Sequence, residues 1–338
     1  MATVHVREVE CKSVLNRVHS DKMPFKWSIN PYRGCQHACI YCYARRYHEY
    51  LDLGPDRDFE TQIFAKVNAP EVLRTELARP TWKREWVAIG TAVDAYQPIE
   101  GRYKITRRVL EALCDYDTPV SIVTKNTMIL RDADVLQRLS NRAGCRVYFS
   151  VTTMDDRLAK KLEPETPPPL RRLQAMQHLV RLGVDAGVLV APVLPGITDD
   201  DASLRRVALA AAAHGARWLS GAPLRLQGSV RNVYLSFLEE AFPRLTRLYD
   251  AMYRGEYAPR RYRDRVAAKI HEMSKILDMD RRFGYVKSPT PSVSERPESG
   301  PERRRFEPAE SAFAERPTAR RPIAVAIGRG AAQLRLFG

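Results

Sequence analysis

The stretch that decides the fold of this chain is residues 34–43, which read Gly34-Cys35-Gln36-His37-Ala38-Cys39-Ile40-Tyr41-Cys42-Tyr43. Three of the chain's six cysteines lie here, with three residues and then two between them. Cysteine thiolates bind iron–sulfur clusters because soft sulfur ligands match iron and sulfide. A four-iron cluster takes four ligands, so a loop with three cysteines leaves one iron open to a further ligand. The loop therefore predicts a [4Fe–4S] cluster held by Cys35, Cys39 and Cys42.

A single zinc ion is the alternative interpretation of this loop, with His37 as its fourth ligand. Zinc ligands usually come as two separated pairs. The remaining cysteines, Cys11, Cys114 and Cys145, form no second pair. The spacing therefore favours the iron–sulfur cluster. The loop also follows the first predicted strand, which places it at the carboxyl edge of a sheet, where the active sites of such folds form.

Apolar, β-branched runs alternate with amphipathic runs from about residue 26 to residue 280. Six strands are predicted, at residues 25–32, 86–93, 120–124, 146–152, 184–193 and 216–226. Helices are predicted between them at residues 42–51, 103–115, 133–141, 170–182 and 199–214, the last with Asp199 and Asp200 in its first turn. Repeated βα units predict a parallel sheet that curls into a barrel or part of one. We expect a partial (β/α)6 TIM-like barrel, because eight units are needed to close a full one.

A helical extension is predicted after the barrel, with helices at residues 230–253 and 262–278. Arginines and tyrosines interleave along it: Arg231, Arg244, Arg247, Arg254, Arg260, Arg261, Arg263 and Arg265, with Tyr234, Tyr249, Tyr253, Tyr257 and Tyr262. Such a pattern suits phosphates and stacked bases. A solvated arginine face above tyrosines of the core is an equally good interpretation.

Composition changes at Ser288. The last 51 residues hold seven prolines, nine arginines and six glutamates with little periodicity, which predicts a disordered linker. The chain is therefore divided into an N-terminal extension (residues 1–24), the barrel (25–228), the helical extension (229–287), the linker (288–332) and a terminal peptide (333–338).

The chain is basic, with 55 lysines and arginines against 40 acidic residues and a formal net charge of +15. A basic surface attracts polyanions, which favours a nucleic-acid or nucleotide-like partner. The first twenty residues are charged throughout and contain no apolar signal segment. No apolar run reaches the roughly 18 residues that a membrane helix needs. We expect a cytoplasmic protein without a membrane partner.

Polar residues crowd the loop after the second predicted strand, where Asp94, Tyr96, Gln97 and Glu100 lie within seven residues. This density predicts groups that face a substrate. A capped turn into the helix at Tyr103 explains the same pattern. Glu163 and Arg171 flank the proline run at residues 167–169, and we expect them to pair across it or to reach into the mouth of the barrel.

The cysteine loop, with an aromatic residue before its third cysteine, resembles the signature of the radical S-adenosylmethionine superfamily. The wider run from Asn30-Pro31-Tyr32-Arg33 to Cys42-Tyr43-Ala44-Arg45 resembles the branch related to spore photoproduct lyase. The match over residues 25–280 includes Thr91-Ala92-Val93-Asp94-Ala95-Tyr96-Gln97-Pro98, Thr124-Lys125-Asn126, Leu162-Glu163-Pro164 and Ala191-Pro192-Val193-Leu194-Pro195-Gly196.

This resemblance implies that the open iron binds the amino and carboxylate groups of S-adenosylmethionine. An electron from the cluster then cleaves the sulfonium to methionine and a 5′-deoxyadenosyl radical, which abstracts hydrogen from the substrate. The cofactors carry this chemistry, and the protein orients them. The implied cofactor contacts are Tyr41 with adenine, Gly90 and Thr91 near the amino group, Lys125 with the carboxylate, and Ser150 and Thr152 with the ribose.

One departure from the family concerns the hydrogen donor. Spore photoproduct lyase uses a cysteine near the end of the second strand, whereas residues 88–97 contain none. Tyr96 is the residue that we expect to replace it, and Asp94 is the second candidate catalytic residue. The departure weakens the inference that the substrate is a thymine photoproduct.

The chain ends in Gln333-Leu334-Arg335-Leu336-Phe337-Gly338. Gln333, Leu334, Leu336 and Phe337 resemble the pentapeptide by which bacterial repair and replication proteins bind the sliding clamp. Such peptides insert apolar anchors into a preformed groove, and the linker of roughly 45 residues would give reach. A chance match, or a terminal helix that packs on the core, is the alternative.

These observations predict a radical enzyme that acts on damaged or modified DNA, with a reductase, flavodoxin or ferredoxin as its electron donor. A second hypothesis keeps the chemistry but assigns RNA or a protein side chain as the substrate. A third is a non-catalytic nucleic-acid-binding module with a structural metal.

Overall fold

The computed structural model describes residues 3–20, 23–279 and 323–325. In these ranges the strands are β1 Val4–Val9, β2 Asn16–Arg17, β3 Trp27–Ile29, β4 Tyr32–Arg33, β5 Gln62–Lys66, β6 Val87–Ile89, β7 Val120–Thr124, β8 Cys145–Ser150, β9 Asp185–Val193, β10 Leu219–Pro223 and β11 Ile323–Val325. The α-helices are α1 Arg57–Thr61, α2 Ala69–Leu77, α3 Glu100–Tyr103, α4 Ile105–Asp115, α5 Ala133–Arg142, α6 Asp156–Leu162, α7 Pro169–Arg181, α8 Asp201–Ala213, α9 Val230–Ala241, α10 Thr246–Met252 and α11 Arg260–Ile276. The 3-10 helices are Tyr43–Leu51, Thr127–Asp132 and Pro243–Leu245.

The larger sheet contains six parallel strands in the order β10-β9-β8-β7-β6-β3, with β2 antiparallel at the β3 edge. Ile89, Ile122, Val147 and Val188, which lie on four of these strands, have no exposed surface. Among the described residues no strand pairing joins β10 to β3, so the barrel is open on one side. The predicted partial barrel of six parallel strands is confirmed.

Helices α4, α5, α7 and α8 connect successive strands from β6 to β10. The start of α8 differs from the prediction by two residues. Asp200 is the N-cap, and its side chain accepts a hydrogen bond from the backbone N–H of Ser203 at 2.9 Å. Asp199 lies outside the helix, where it accepts from the hydroxyl of Tyr262 at 3.0 Å. Asp200 therefore caps the helix, and the acidic residue of its first turn is Asp201 rather than Asp199 or Asp200.

The predicted first strand at residues 25–32 divides between two sheets. β3 joins the barrel, whereas β4 pairs antiparallel with β5 in a smaller sheet of order β11-β1-β5-β4. Asn30 and Pro31 separate the two pieces, and Pro31 has no N–H with which to continue a ladder. Its carbonyl accepts from the backbone of Lys66 at 3.1 Å. The sequence analysis did not predict this second sheet.

The prediction of one continuous helix at residues 230–253 is wrong, because the segment forms two α-helices joined by a 3-10 turn. Pro243 lacks the N–H that would continue α9, so a 3-10 turn at Pro243–Leu245 follows and α10 begins at Thr246. The next predicted helix forms as α11 and lies against β10 and α8. The predicted helix at residues 42–51 forms as a 3-10 helix at Tyr43–Leu51.

The predicted linker and terminal peptide lie outside the described residues, apart from β11. The backbone of β11 pairs antiparallel with β1, which differs from the irregular structure predicted for this segment. No helix in the described part of the chain is both long and apolar enough to span a bilayer.

Candidate active site

The cysteine loop begins directly after β4 and is shaped by one glycine. Gly34 has φ +76°, and a Cβ there would lie 2.7 Å from the carbonyl oxygen of Gln62, so only glycine fits. Ala38 also has a positive φ, of 55°, which non-glycine residues rarely adopt. The backbone N–H of Cys35 donates to the carbonyl of Phe59 at 2.8 Å. The second sheet and α1 therefore support the loop from behind.

The three thiols of the loop lie close enough to act on one another electrostatically. Cys35 and Cys39 are buried and Cys42 is partly exposed. Burial raises the pKa of Cys35, and Asp94 and the other two thiols add to the shift. Burial also raises the pKa of Cys39, to about 12, although Lys125 opposes it. A bound metal displaces such protons, because it stabilises the thiolate directly.

His37 has no free ring nitrogen for a zinc ion. Its Nδ1 lies 3.2 Å from Oδ2 of Asp94, and the side-chain amide of Asn126 lies 3.1 Å from its Nε2. In the described ranges no three His, Cys, Asp or Glu side chains gather as one metal ion requires. A four-iron cluster is larger than one ion, so its ligands stand further apart. The geometry therefore favours the cluster over a zinc site that uses His37.

Asp94, a candidate catalytic residue, is the centre of a hydrogen-bond network. Its carboxylate accepts from the Thr124 hydroxyl at 2.8 Å and from the backbone N–H groups of Tyr96 at 2.9 Å and Lys125 at 2.7 Å. Burial raises the pKa of Asp94, but His37 and the backbone donors lower it by more, so that the net pKa falls to about 2. Asp94 therefore joins the cysteine loop to the ends of β6 and β7, which fits positioning better than proton transfer.

Gln97 and Gln36 lock the cysteine loop onto the loop that follows β6. The backbone N–H of Gln36 donates to the Gln97 side chain at 2.9 Å, and the Gln97 amide donates to the carbonyl of Gly34 at 3.0 Å. The Gln36 side chain accepts from the backbone of Ile99 at 2.8 Å. Gln97 is fully buried. The prediction that this residue faces the substrate is wrong, because the side chain is used inside the fold.

Tyr96 and Glu100 are also fully buried. Glu100 lies 2.6 Å from Arg131 in an ion pair and accepts a hydrogen bond from the hydroxyl of Tyr32. Burial, together with the charges of Asp132 and Glu100, raises the pKa of Tyr96 well above its ordinary value. Tyr96 therefore faces this charged cluster. A ring in this place has no surface with which to donate hydrogen to a polymer.

A buried ion pair lies behind the cysteine loop. Nη2 of Arg172 is 2.5 Å from Oε2 of Glu163, and each side chain is 1% exposed. Glu163 also accepts from the hydroxyls of Tyr41 and Thr152. The expected partner, Arg171, is exposed instead, because consecutive residues of α7 point about 100° apart. Glu163 therefore anchors Tyr41 inside the fold rather than reaching into the mouth of the barrel.

Lys125 directly follows β7 and lies beside the thiols. Its Nζ is 5.7 Å from the centroid of the Tyr41 ring. Burial lowers the pKa of Lys125, but Cys39 and Glu163 raise it by more, so the net direction is upward. The ammonium group stays charged at neutral pH. It is suited to an anionic ligand group next to the cluster loop.

Gly90 and Thr91, predicted near the amino group of the cofactor, end the second barrel strand. Gly90 has φ +88°, and a Cβ there would lie 2.5 Å from the carbonyl oxygen of Val123. The Thr91 hydroxyl lies 3.3 Å from the Asn30 side chain, and its carbonyl accepts from the hydroxyl of Tyr43. Gly90 is therefore required for the turn itself, and Thr91 connects that turn to the cysteine loop.

Ser150 and Thr152, predicted at the ribose, lie at the end of β8. The hydroxyl of Ser150 donates to the carbonyl of Ala191 at 2.9 Å. The hydroxyl of Thr152 donates to Glu163 at 3.0 Å and is 3.2 Å from that of Tyr41. Both hydroxyls already donate within the protein and retain only acceptor capacity for a ligand.

Arg45 is a site residue to which the sequence analysis assigned no role. It is fully buried, and its Nε donates to the carbonyl of Cys39 at 2.9 Å. It also donates to the carbonyls of Pro55 and Asp56 and forms an ion pair with Glu60 at 2.5 Å. Arg45 lies three residues after Cys42, at the end of the run that resembles the spore photoproduct lyase branch. That position was the sequence signal that could have indicated a role for it. The guanidinium holds the loop backbone around the middle cysteine.

The interleaved tyrosines of the extension divide between the two interpretations. Tyr234, Tyr249, Tyr253 and Tyr262 are buried, and the hydroxyls of Tyr234 and Tyr249 lie 2.9 Å apart. These four belong to the core. Tyr257 is 50% exposed. These four tyrosines therefore fit the interpretation of an arginine face above tyrosines of the core. Of the five, only Tyr257 has an exposed ring that a ligand could contact.

Comparison with known proteins agrees with this site. The model of the Radical SAM superfamily matches residues 29–207, just over half of the chain. An uncharacterized protein of Mycobacterium tuberculosis is 41% identical over 265 residues, which cover 78% of each chain. An uncharacterized protein of Methanocaldococcus jannaschii is 28% identical over 197 residues, 58% of this chain and 70% of that protein. The chain belongs to the radical S-adenosylmethionine superfamily, as the cysteine loop indicated.

Solved structures of spore photoproduct lyase share the fold. The lyase complexed with dinucleoside spore photoproduct has a TM-score of 0.60 at 15% identity, over 80% of this chain and 79% of that one. A double mutant with bound S-adenosylmethionine and the same dinucleoside has a TM-score of 0.60 at 17% identity, over 82% and 79%. At these identities the likeness is one of fold.

Membership of the superfamily implies a [4Fe–4S] cluster and S-adenosylmethionine. The residues fit both groups. Cys35, Cys39 and Cys42 supply three soft ligands on one loop, and both nitrogens of His37 are engaged elsewhere. Lys125 supplies a cation beside them.

Proposed function

We propose that this enzyme uses S-adenosylmethionine to start radical chemistry on damaged or modified DNA, in a lyase-type repair reaction. The observation that carries the proposal is the set of three thiols beside Lys125, at the carboxyl edge of a barrel that is open on one side. When bound, the cluster and S-adenosylmethionine supply a 5′-deoxyadenosyl radical. The chain's own task is to hold the cofactor, exclude water and admit the substrate.

The residues at the strand ends divide this task. Lys125 is proposed to bind the cofactor carboxylate, with Gly90 and Thr91 near its amino group. Ser150 and Thr152 are proposed to accept hydrogen bonds from the ribose. Tyr41 is proposed to lie against the adenine, with its hydroxyl held by Glu163. Asp94 acts through His37 and the Lys125 backbone, as a positioning residue.

Three features support DNA as the substrate. The formal net charge is +15, which attracts a polyanion. The fold resembles that of a lyase solved with a dinucleoside photoproduct. The terminal peptide resembles a ligand of the sliding clamp. Because Tyr96 is buried, the hydrogen donor in this proposal is a group other than Tyr96. A cytoplasmic flavodoxin, ferredoxin or reductase supplies the electron.

The substrate is tested by supplying polymers to the reconstituted holoenzyme and measuring 5′-deoxyadenosine under anaerobic conditions. Ultraviolet-irradiated or alkylated DNA is expected to raise its formation above that seen with undamaged DNA, because the 5′-deoxyadenosyl radical takes a hydrogen atom from the damaged nucleotide and becomes 5′-deoxyadenosine. RNA and a protein mixture are the parallel arms. Stimulation by RNA or protein alone would overturn the DNA proposal. Metal analysis tests the third hypothesis: one zinc per chain in place of about four irons would indicate a non-catalytic module with a structural metal.

The clamp proposal predicts that Leu336→Ala with Phe337→Ala abolishes retention of the full-length protein on immobilised sliding clamp. The two apolar anchors provide the buried area of such a peptide, so their loss removes most of the affinity. Arg335→Ala is the matched control, because that position is variable in the motif, and retention is expected to persist. Equal retention of the double variant and the native protein would discard the proposal.

A further inference from the structure

Exposed tyrosines line the surface next to the cysteine loop. The 3-10 helix Tyr43–Leu51 begins one residue after Cys42. Its outer face carries Tyr43, Tyr47 and Tyr50, which are 40%, 38% and 61% exposed. Large aromatic rings gathered on one exposed face mark an interaction surface more often than isolated exposed rings do.

The rings on this helix are already arranged as a stack. Tyr47 and Tyr50 have centroids 6.3 Å apart and planes 27° apart. The guanidinium of Arg46 lies 5.5 Å from the centroid of Tyr47, and its Nη2 is 3.5 Å from the hydroxyl of Tyr50. Tyr50 is the more exposed ring of the pair, so it offers a surface on which a further flat ring can stack. Arg46 supplies a positive charge beside it.

A second aromatic and basic group lies after the sixth barrel strand. Tyr257 is 50% exposed and pairs with Arg225 through an isolated antiparallel bridge. The guanidinium groups of Arg225 and Arg263 lie 4.8 Å and 5.4 Å from the centroid of its ring. Arg225 also pairs with Glu256 at 2.8 Å, which fixes its direction. This group therefore repeats the combination of an exposed ring with cations.

The two groups adjoin across the opening of the barrel. The helix of Tyr43 packs against α9, and the charge of Glu256 acts on Arg46. The same Glu256 forms an ion pair with Arg225 at 2.8 Å, so one carboxylate lies near a cation of each group. The cysteine loop follows the first parallel strand and Arg225 follows the sixth, and these strands are the two ends of the parallel set. We call this surface the rim, defined by Arg46, Tyr47, Tyr50, Arg225, Tyr257 and Arg263.

We propose that the rim binds a single nucleic-acid strand, with its arginines on phosphates and with unstacked bases on Tyr50 and Tyr257. Phosphate contacts hold the register of a strand, while aromatic rings accept any base that is free of its stack. A base inside a duplex has no free face, so the rim selects a strand that is unpaired or locally opened. A strand on the rim passes the opening beside Cys42. The inference rests on the proposed function for its reaction, but the binding surface is tested separately.

The test measures the affinity of the reconstituted holoenzyme for fluorescent DNA and RNA oligomers, single-stranded and duplex, at several salt concentrations. Tyr50→Leu with Tyr257→Leu is expected to weaken single-strand binding at least about tenfold, because two stacking contacts are lost. Tyr50→Phe with Tyr257→Phe keeps the rings and is expected to stay near native affinity. Arg46→Ala with Arg263→Ala is expected to lower the salt slope by about 1.4.

Arg138→Ala with Arg181→Ala is the matched control. It removes the same charge from exposed arginines on the outer helices α5 and α7 and is expected to leave the salt slope unchanged. Equal affinity of the leucine variant and the native enzyme, or equal slopes for the two arginine pairs, would overturn the rim proposal. If the rim binds single strands as expected but no nucleic acid raises 5′-deoxyadenosine, the rim stands and the proposed function fails.

Discussion

Cys39→Ala is expected to abolish cluster assembly and cleavage of S-adenosylmethionine together. Cys39 is the middle thiol of the loop, and its backbone carbonyl is held by the buried Arg45. Lys125 lies beside it and favours the thiolate. With two protein ligands left, iron content is expected to fall from about four per chain to a trace. Anaerobic iron and sulfide analysis and the yield of 5′-deoxyadenosine measure the two losses.

Cys114→Ala is the control for this change. Cys114 is also a buried cysteine, but it lies on α4, away from the loop. Its replacement is expected to leave iron content and cofactor cleavage near native values. A Cys39 variant that still held about four irons would contradict the assignment of the ligands. Loss of iron from the Cys114 variant alone would do the same.

Arg172→Met is expected to destabilise the holoenzyme by about 3–5 kcal/mol, because it leaves the Glu163 carboxylate buried without its main partner. Arg172 also donates to the carbonyls of Ser150 and Pro167 at 2.9 and 2.8 Å, which lose their donor. The thermal midpoint is expected to fall by on the order of 10 °C. The Michaelis constant for S-adenosylmethionine is also expected to rise, because Glu163 holds Tyr41.

Two further variants distinguish the loss of this ion pair from a general disturbance of α7. Arg171→Met removes the neighbouring exposed arginine and is expected to change stability by less than about 0.5 kcal/mol. Glu163→Leu combined with Arg172→Met removes both charges and is expected to recover much of the lost stability, since no buried charge stays unpaired. Equal thermal midpoints for the two single arginine variants would refute the assigned pair.

The barrel was predictable because its strands have a strong local signal. β7 and β9 are apolar and rich in β-branched residues; β7 has the predicted bounds, and β9 begins one residue later than predicted. The smaller sheet was not predictable in the same way. β1 mixes charged residues with valines, and β5 has the polar residues Gln62 and Lys66 at its two ends, so each is defined by its partner strand rather than by its own composition.

The site shows the same division. The thiol spacing is local, and it alone indicated the cluster ligands. Gln97 pairs with Gln36 across 61 residues of sequence, and Tyr41 pairs with Glu163 across 122. No local pattern reports such contacts. The polar loop after β6 therefore looked like a substrate surface, although its residues are used inside the fold.

By itself the sequence determined the class of enzyme, the three thiols and the succession of βα units, because each depends on the kind and spacing of neighbouring residues. The tertiary structure decided which polar groups form hydrogen bonds or ion pairs inside the protein and which remain available to ligands. In the folded protein Arg172, and not Arg171, pairs with Glu163. Tyr96 is buried, whereas Tyr50 and Tyr257 are exposed. The physical reason is that burial and pairing depend on which elements meet, and those elements lie far apart along the chain.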